Sequence, residues 1–163
     1  MLISLLRHAD RVKVACQAQL VNVITPIMTE SSGRIWKQTI YYLYLHTSVY
    51  GRGTAMNVIV DSPKYYCKQY TDVPELDAIA VESEEHDYLT IFGVNRETEE
   101  LEVSCCLRGH PGCQMEEFTV MTWGNLKMTN SADAPDRVAP RQSVNYKMED
   151  DTSYSWNVIR IKL

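Results

Sequence analysis

Cations are in short supply in this 163-residue chain, where 16 lysines and arginines stand against 21 aspartates and glutamates, for a formal charge of −5. Without a cationic excess there is little to displace counterions from a phosphate backbone, which argues against a nucleic-acid partner. Long apolar runs are also absent. Stretches such as Ile79-Ala80-Val81 fall far short of the ~20 residues that a membrane-spanning helix needs. No Asn-x-Ser/Thr acceptor occurs, and the five cysteines are an odd set, so the sequence lacks the even disulfide framework of a small secreted domain. Free thiols and a reducing, cytoplasmic compartment fit that composition better. What is present, 45% hydrophobic and 23% charged residues, suits one ordinary globular domain or a domain with a piece of another.

The opening Met1-Leu2-Ile3-Ser4-Leu5-Leu6 looks like a secretory hydrophobic segment but is too short. It has no preceding basic residues and no small-residue cleavage site. Leu2, Leu5 and Leu6 recur at helical spacing, and Arg7 and His8 supply the positive charge that suits a helix C-terminus. The start therefore reads as the last turns of an amphipathic helix, as in a chain cut from a longer fold. Val12–Gln19 has the β-branched residues and bounded length of a mostly buried strand. A loop through Thr25-Pro26 and Thr29–Gly33 leads to a predicted helix over 35–50, with Trp36, Ile40, Leu43 or Tyr44, and Thr47 on one stripe. Gly51 and Gly53 are placed to end it with a left-handed residue.

After Gly53 the pattern turns to short β-rich segments separated by turn residues. The predicted strands are Thr54–Val60, Leu76–Ser83, Tyr88–Val94, Leu101–Leu107, Met115–Trp123, Ser143–Met148 and Trp156–Lys162. Glu84–Asp87 and Asn95–Glu99 are compact polar connections, which predicts a meander of two hairpins. Asn130–Gln142, with Pro135 and Pro140, reads as a long surface connection.

Few residues are arranged for chemistry. Cys105, Cys106, His110 and Cys113 have spacings within the zinc-ligand range, but neighbouring cysteines in a strand point to opposite faces and cannot both join one tetrahedral site without a bulge, so buried or half-buried free thiols beside a Gly-Pro turn are the plainer reading. No metal site and no cofactor site is expected. There is no Gly-x-Ser-x-Gly elbow, and His8, His46, His86 and His110 lie beside charged, turn or helix-surface residues. Gly51-Arg52-Gly53 lacks the third glycine of a dinucleotide fingerprint and follows a helix rather than a strand. The glutamates at 82, 84, 85, 97, 99, 100, 116 and 117 fall at strand ends and turns, where a solvated charge is the plain reading, and none is expected to be a catalytic acid. Gln19 differs. It ends an apolar strand that leads through a loop to a helix, and in parallel α/β sheets and barrels ligands bind at that carboxyl end. An amide there can donate to and accept from a sugar hydroxyl, while the alternative is that Gln19 or Asn22 caps the loop backbone.

His8–Ile24, read as one string, closely resembles the last barrel strand of the α-L-arabinofuranosidases of glycoside hydrolase family 51. The resemblance continues through Trp36–Tyr42, His46, Tyr50-Gly51-Arg52-Gly53, Tyr70–Pro74, Leu89–Arg96 and Ser155–Arg160. It runs over nearly the whole chain but only the C-terminal third or so of such an enzyme. It implies an α+β arrangement overall. An incomplete (β/α)8 barrel remnant (helix end, one strand, one helix) would occupy residues 1–53, and an antiparallel β-sandwich of jelly-roll type residues 54–163.

The implied activity is retaining, exo-acting release of arabinofuranosyl units from arabinan or arabinoxylan. Its two catalytic glutamates belong to earlier barrel strands, so no catalytic residue is assigned here. By the same resemblance Gln19 matches the glutamine that hydrogen-bonds the bound arabinose. The implied partners are an arabinofuranosyl oligo- or polysaccharide, the N-terminal barrel portion, and further copies in a homo-oligomer. Leu43 stands where the family usually has a proline, Thr25 replaces a common alanine, and Cys105–Gln114 and Asp150–Tyr154 diverge. One strand and its helix cannot close a barrel of ~250 residues, so the strand edges should stay unpaired and the chain alone should be inactive. The alternative is a non-catalytic carbohydrate-binding or structural and oligomerisation module, with Trp123, Tyr88 and Tyr146 as the aromatic residues available for a sugar platform.

Overall fold

Alternation of apolar and polar residues after Gly53 becomes a sheet. The computed structural model describes residues 1–122, 124–143 and 154–163. In chain order the elements are α1 (Leu2–Arg7), β1 (Ile27–Thr29), β2 (Ile35–Lys37), α2 (Thr39–Tyr50), β3 (Thr54–Met56), β4 (Lys64–Cys67) and β5 (Tyr70–Pro74). They continue with β6 (Leu76–Glu82), β7 (Tyr88–Asn95), β8 (Gln114–Met121), β9 (Arg141–Gln142) and β10 (Trp156–Lys162). Six strands form one antiparallel sheet in the order β3-β6-β7-β10-β8-β9, and β1-β2 and β4-β5 are separate two-stranded ribbons.

Period-two patterning gives this sheet two apolar faces. One face presents Ile79 and Val81 of β6, Phe92 of β7, Trp156 and Val158 of β10 and Met121 of β8, and on it pack Ile3 of α1 and Tyr42 of α2. Phe92 lies opposite Val158 across the β7–β10 ladder, and its ring stacks on that of Trp156 at 5.8 Å. The other face carries Ala80, Leu89 and Ile161, covered by Leu107 and Cys113 from the 101–113 segment. Both helices thus join the same core as the sheet.

Several expectations hold and several need correction. The N-terminal helix, the hairpin of β6 and β7 through Glu84–Asp87, and β10 stand where the sequence placed them. Residues 12–19 do not form a strand, because among the described residues no neighbouring strand pairs with them, and a strand cannot exist without a ladder. The helix begins at Thr39 rather than Ile35. Ile35 and Trp36 pair instead with Thr29 and Met28, across a turn closed by the Gly33 amide donating to the Glu30 carbonyl at 2.9 Å. On α2 the residues that face the core are Tyr41, Tyr42, Leu43, His46 and Tyr50, and of these only Leu43 belongs to the predicted stripe. Gly51 caps it at φ −92°, so no left-handed residue is used there.

Leu101–Leu107 is not a strand either. Both edges of β7 are already taken, by β6 and by β10, which leaves no ladder for a second hairpin. The β4–β5 ribbon was not foreseen, since its connection carries no glycine, proline, asparagine or aspartate. Asn130–Gln142 is not wholly surface. Asn130 and Val138 are buried, and the Asn130 amide donates to the Lys37 and Val138 carbonyls at 2.8 and 2.9 Å while accepting from the Val138 amide at 2.8 Å. Most of the predicted Ser143–Met148 strand, Trp123 and Tyr146 lie outside the described residues.

Candidate substrate-contacting site

Gln19 lies in the irregular segment between α1 and β1, exposed, with a left-handed backbone at φ 56°. Its neighbours Asn22 and Val23 are also left-handed, at φ 61° and 71°. That conformation is unusual for a β-branched residue such as Val23 and is kept only where surrounding bonds fix it. They do so here. The Asn22 side chain donates to Thr29 Oγ1 at 2.8 Å and accepts from the Thr29 amide at 2.7 Å, and its own amide donates to the Ile27 carbonyl at 2.9 Å. The buried Thr25 hydroxyl donates to the Ile27 carbonyl at 2.7 Å. Of the two amides weighed for capping this loop, Asn22 is thus the one engaged in it. The Trp36 indole nitrogen is buried and unpartnered among the described residues.

Several of the remaining candidates are held in structural contacts, whereas Cys105 and Cys106 are exposed rather than buried or half-buried. His46 is buried, not on the helix surface, and its Nδ1 accepts from the Trp156 indole at 3.2 Å. Burial pushes its pKa down, opposed by the nearby Glu117 carboxylate. His86 pairs with Glu82 at 2.8 Å and His8 with Arg11 at 3.0 Å. Burial, with Cys106 and Cys113 nearby, pushes the Cys105 thiol up, the reverse of what a nucleophilic thiolate needs. Among the described residues no group of three or more histidines, cysteines or carboxylates could hold a metal ion. The Glu97 carboxylate accepts from the Thr98 amide and hydroxyl, which lowers its pKa and disfavours it as a proton donor.

Two charged groups carry structure that the sequence pattern did not announce. Asp77 bridges Arg7 of α1 and Arg96 beyond β7, and thereby ties the first helix to the sheet. The Arg160 guanidinium lies between the rings of Tyr50 and Tyr88, at 4.7 and 4.2 Å, and pairs with Glu117 at 3.6 Å. Tyr88 also donates to Glu116 at 2.9 Å, so its hydroxyl and one face of its ring have partners. A depression of about 210 Å³ is lined by Arg7, Met56, Asn57, Val58 and Ile79 among others and does not include Gln19. It falls below the ~300 Å³ of ordinary ligand pockets.

The model of the alpha-L-arabinofuranosidase C-terminal domain family matches residues 1–159. The chain belongs to this family. It is 46% identical, over 99% of its length, to the intracellular exo-alpha-(1->5)-L-arabinofuranosidase 1 of Bacillus subtilis (strain 168), of which it covers 33%. It is 48% identical, over 99% of its length, to the intracellular exo-alpha-(1->5)-L-arabinofuranosidase of Halalkalibacterium halodurans, again covering 33%. Among solved structures, a family 51 alpha-L-arabinofuranosidase from Bifidobacterium longum superposes with a TM-score of 0.84 at 32% identity, over 99% of this chain and 32% of that one. The Thermotoga maritima alpha-L-arabinofuranosidase in its arabinose complex shares the fold, with a TM-score of 0.79 at 24% identity over 99% of this chain and 38% of that one. The arabinofuranosidase C-terminal domain thus spans about a third of the length of the curated relatives it matches. No helix among its described residues is long and apolar enough to cross a membrane.

Proposed function

We propose that this chain is the C-terminal part of an α-L-arabinofuranosidase, a retaining exo-glycosidase that releases non-reducing terminal arabinofuranosyl residues from arabinan or arabinoxylan. The observation that carries the reading is the family match over residues 1–159, joined to identities of 46–48% with curated relatives three times as long. Residues 1–53 are assigned to the end of a (β/α)8 barrel and residues 54–163 to a jelly-roll β-sandwich. The two catalytic glutamates are assigned to the part of the relatives that this chain does not span. Gln19 is assigned to the sugar, its amide taking one hydrogen bond from and giving one to arabinose hydroxyls. The exposure of Gln19 in a loop anchored by Asn22 supports that role, since a binding amide must not be spent on the backbone. The relatives' intracellular names and the chain's free cysteines support a cytoplasmic site, and a homo-oligomer is assigned by family.

The test is hydrolysis of an aryl α-L-arabinofuranoside. The purified chain is expected to show no turnover above the uncatalysed rate, because retaining hydrolysis needs both an acid/base and a nucleophile ~5–5.5 Å apart. In a polypeptide that restores the N-terminal region of a relative, Gln19→Ala is expected to lower kcat/KM at least about tenfold, the worth of one or two sugar hydrogen bonds. Turnover by the chain alone, or an unchanged kcat/KM in that variant, would refute the corresponding assignment.

A further inference from the structure

Cys105, Cys106 and Cys113 are three of the five cysteines, and all lie on the 101–113 stretch that covers the second face of the sheet. That stretch comes back on itself. Turns at 108–109 and 111–112, with Gly109 and Gly112 left-handed at φ 89° and 96°, reverse the chain. Leu107 and Cys113, on either side of the reversal, consequently pack against the same cluster of Ala80, Leu89 and Ile161. Residues 101–107 are neither helix nor turn, and in an extended run alternate side chains share a side. Cys105 therefore lies on the side of Leu107, toward Cys113, and Cys106 on the other. The Cys105 thiol is partly shielded and near enough to Cys113 to feel its charge. These sulfurs do not converge on an ion, but a disulfide needs only two of them. A small reagent reaches them, because Cys105 is exposed and Cys113 half-buried.

We propose that Cys105 and Cys113 are a reversible thiol–disulfide site, whose oxidation fastens the 101–113 stretch to the start of β8 and holds it over the apolar face. The oxidant is a low-molecular-weight disulfide of the glutathione class. The Cys113 thiolate attacks one of its sulfurs, a mixed disulfide forms, and the first glutathione leaves as thiolate. The Cys105 thiol then gives up its proton and attacks the Cys113 sulfur, and the second glutathione leaves as thiolate while the protein disulfide closes. Two protein thiols are thus oxidised and one small disulfide is reduced to two thiols, the protons lost by the cysteines being taken up by the departing thiolates. Closing this ring removes conformations from the unfolded chain, so the oxidised form is the more stable one.

Trypsin cuts after Arg96, Arg108 and Lys127, so a digest separates residues 97–108, which hold Cys105 and Cys106, from residues 109–127, which hold Cys113. The experiment incubates the full chain with excess oxidised glutathione, blocks remaining thiols with iodoacetamide, digests without reductant and reads the peptides by mass spectrometry. The expected result is that the two peptides are joined, in protein that runs as a single chain on a non-reducing denaturing gel. Cys106→Ser keeps the link. Cys105→Ser, at an exposed position, removes it and leaves glutathione on Cys113. Oxidation is expected to raise the melting temperature by at least about 2 °C, reversibly with dithiothreitol and not in Cys105→Ser. Separate peptides carrying only glutathione, a 97–108 peptide closed on itself through Cys105 and Cys106, a link that survives Cys105→Ser, or a link found only in covalent dimers would each overturn the proposal. A link with an unchanged melting temperature would overturn its fastening role.

Discussion

At the scale of single residues, His46 shows how a ring buried in the core sets a pH limit. Its imidazole is neutral because burial lowers its pKa, and the neutral Nδ1 is what accepts the Trp156 indole proton. Above pH ~6.5 the ring is neutral in both folded and unfolded chains, and stability is at its full value. As pH falls below that, the unfolded chain takes up a proton that the folded one refuses, so stability declines until the folded pKa is reached and then levels off. The urea midpoint is expected to fall from pH 6.5 downward, and His46→Gln, whose amide oxygen can still accept from Trp156, is expected to flatten that limb. An identical limb in the variant would sink the assignment. Gly53 makes a different demand. Its φ is 130°, and a Cβ there would stand 1.9 Å from the Glu82 carbonyl oxygen, on backbone that cannot move aside. Gly53→Ala is expected to cost about 2 kcal/mol or more by denaturant titration. The sequence made this glycine conspicuous but assigned it to the end of α2. Only the pairing of β3 with β6, a contact between distant residues, reveals why it is needed.

At the scale of elements, α1 is six residues long, too short to persist as an isolated helix. Burial of Ile3 and the bridge from Arg7 to Asp77 hold it on β6. Asp77→Ala leaves Arg7 and Arg96 without their shared carboxylate. Because the Arg7 side chain is 44% exposed, the expected cost is only about 1 kcal/mol. The sharper readout is local: α1 amides should exchange several-fold faster while those of β7 and β10 are unmoved. Equal acceleration everywhere would mean that the bridge serves the whole fold. Elements were legible where period-two alternation met a core, as in β6, β7, β8 and β10. They were misread where apolar content stood in for a partner. Val12–Gln19 has strand composition and no ladder, Leu101–Leu107 has strand composition and no free edge, and α2 is so uniformly apolar that periodicity could not choose its buried side. Gln19 was legible as a residue type in a matching string, but the strand end expected for it is not formed, since among the described residues no strand pairs with residues 12–19.

At the scale of the molecule, the division at Gly53 is one of sequence character, whereas the core ignores it. Ile3 and Tyr42 from the first stretch share one cluster with Phe92, Trp156 and Val158 from the second. Two independent units would each need their own cluster, and residues 1–53 contribute too few buried side chains to build one. Helix α2 and the sheet should therefore unfold together. Far-UV circular dichroism, which follows helix and strand, and tryptophan fluorescence, to which Trp156 contributes from beneath His46, are expected to give coincident denaturant transitions. Phe92 is fully buried between β6 and β10 and stacks on Trp156, so Phe92→Ala should shift both transitions by the same amount, about 3–5 kcal/mol. Residues 13–19, outside this core and without backbone bonds among the described residues, should exchange their amides near the unprotected rate throughout. Were the circular dichroism transition to split, with a helical part lost before the fluorescence moved, the helices would be a separate unit resting on the sheet. The shared core would then be a contact rather than a cooperative interior.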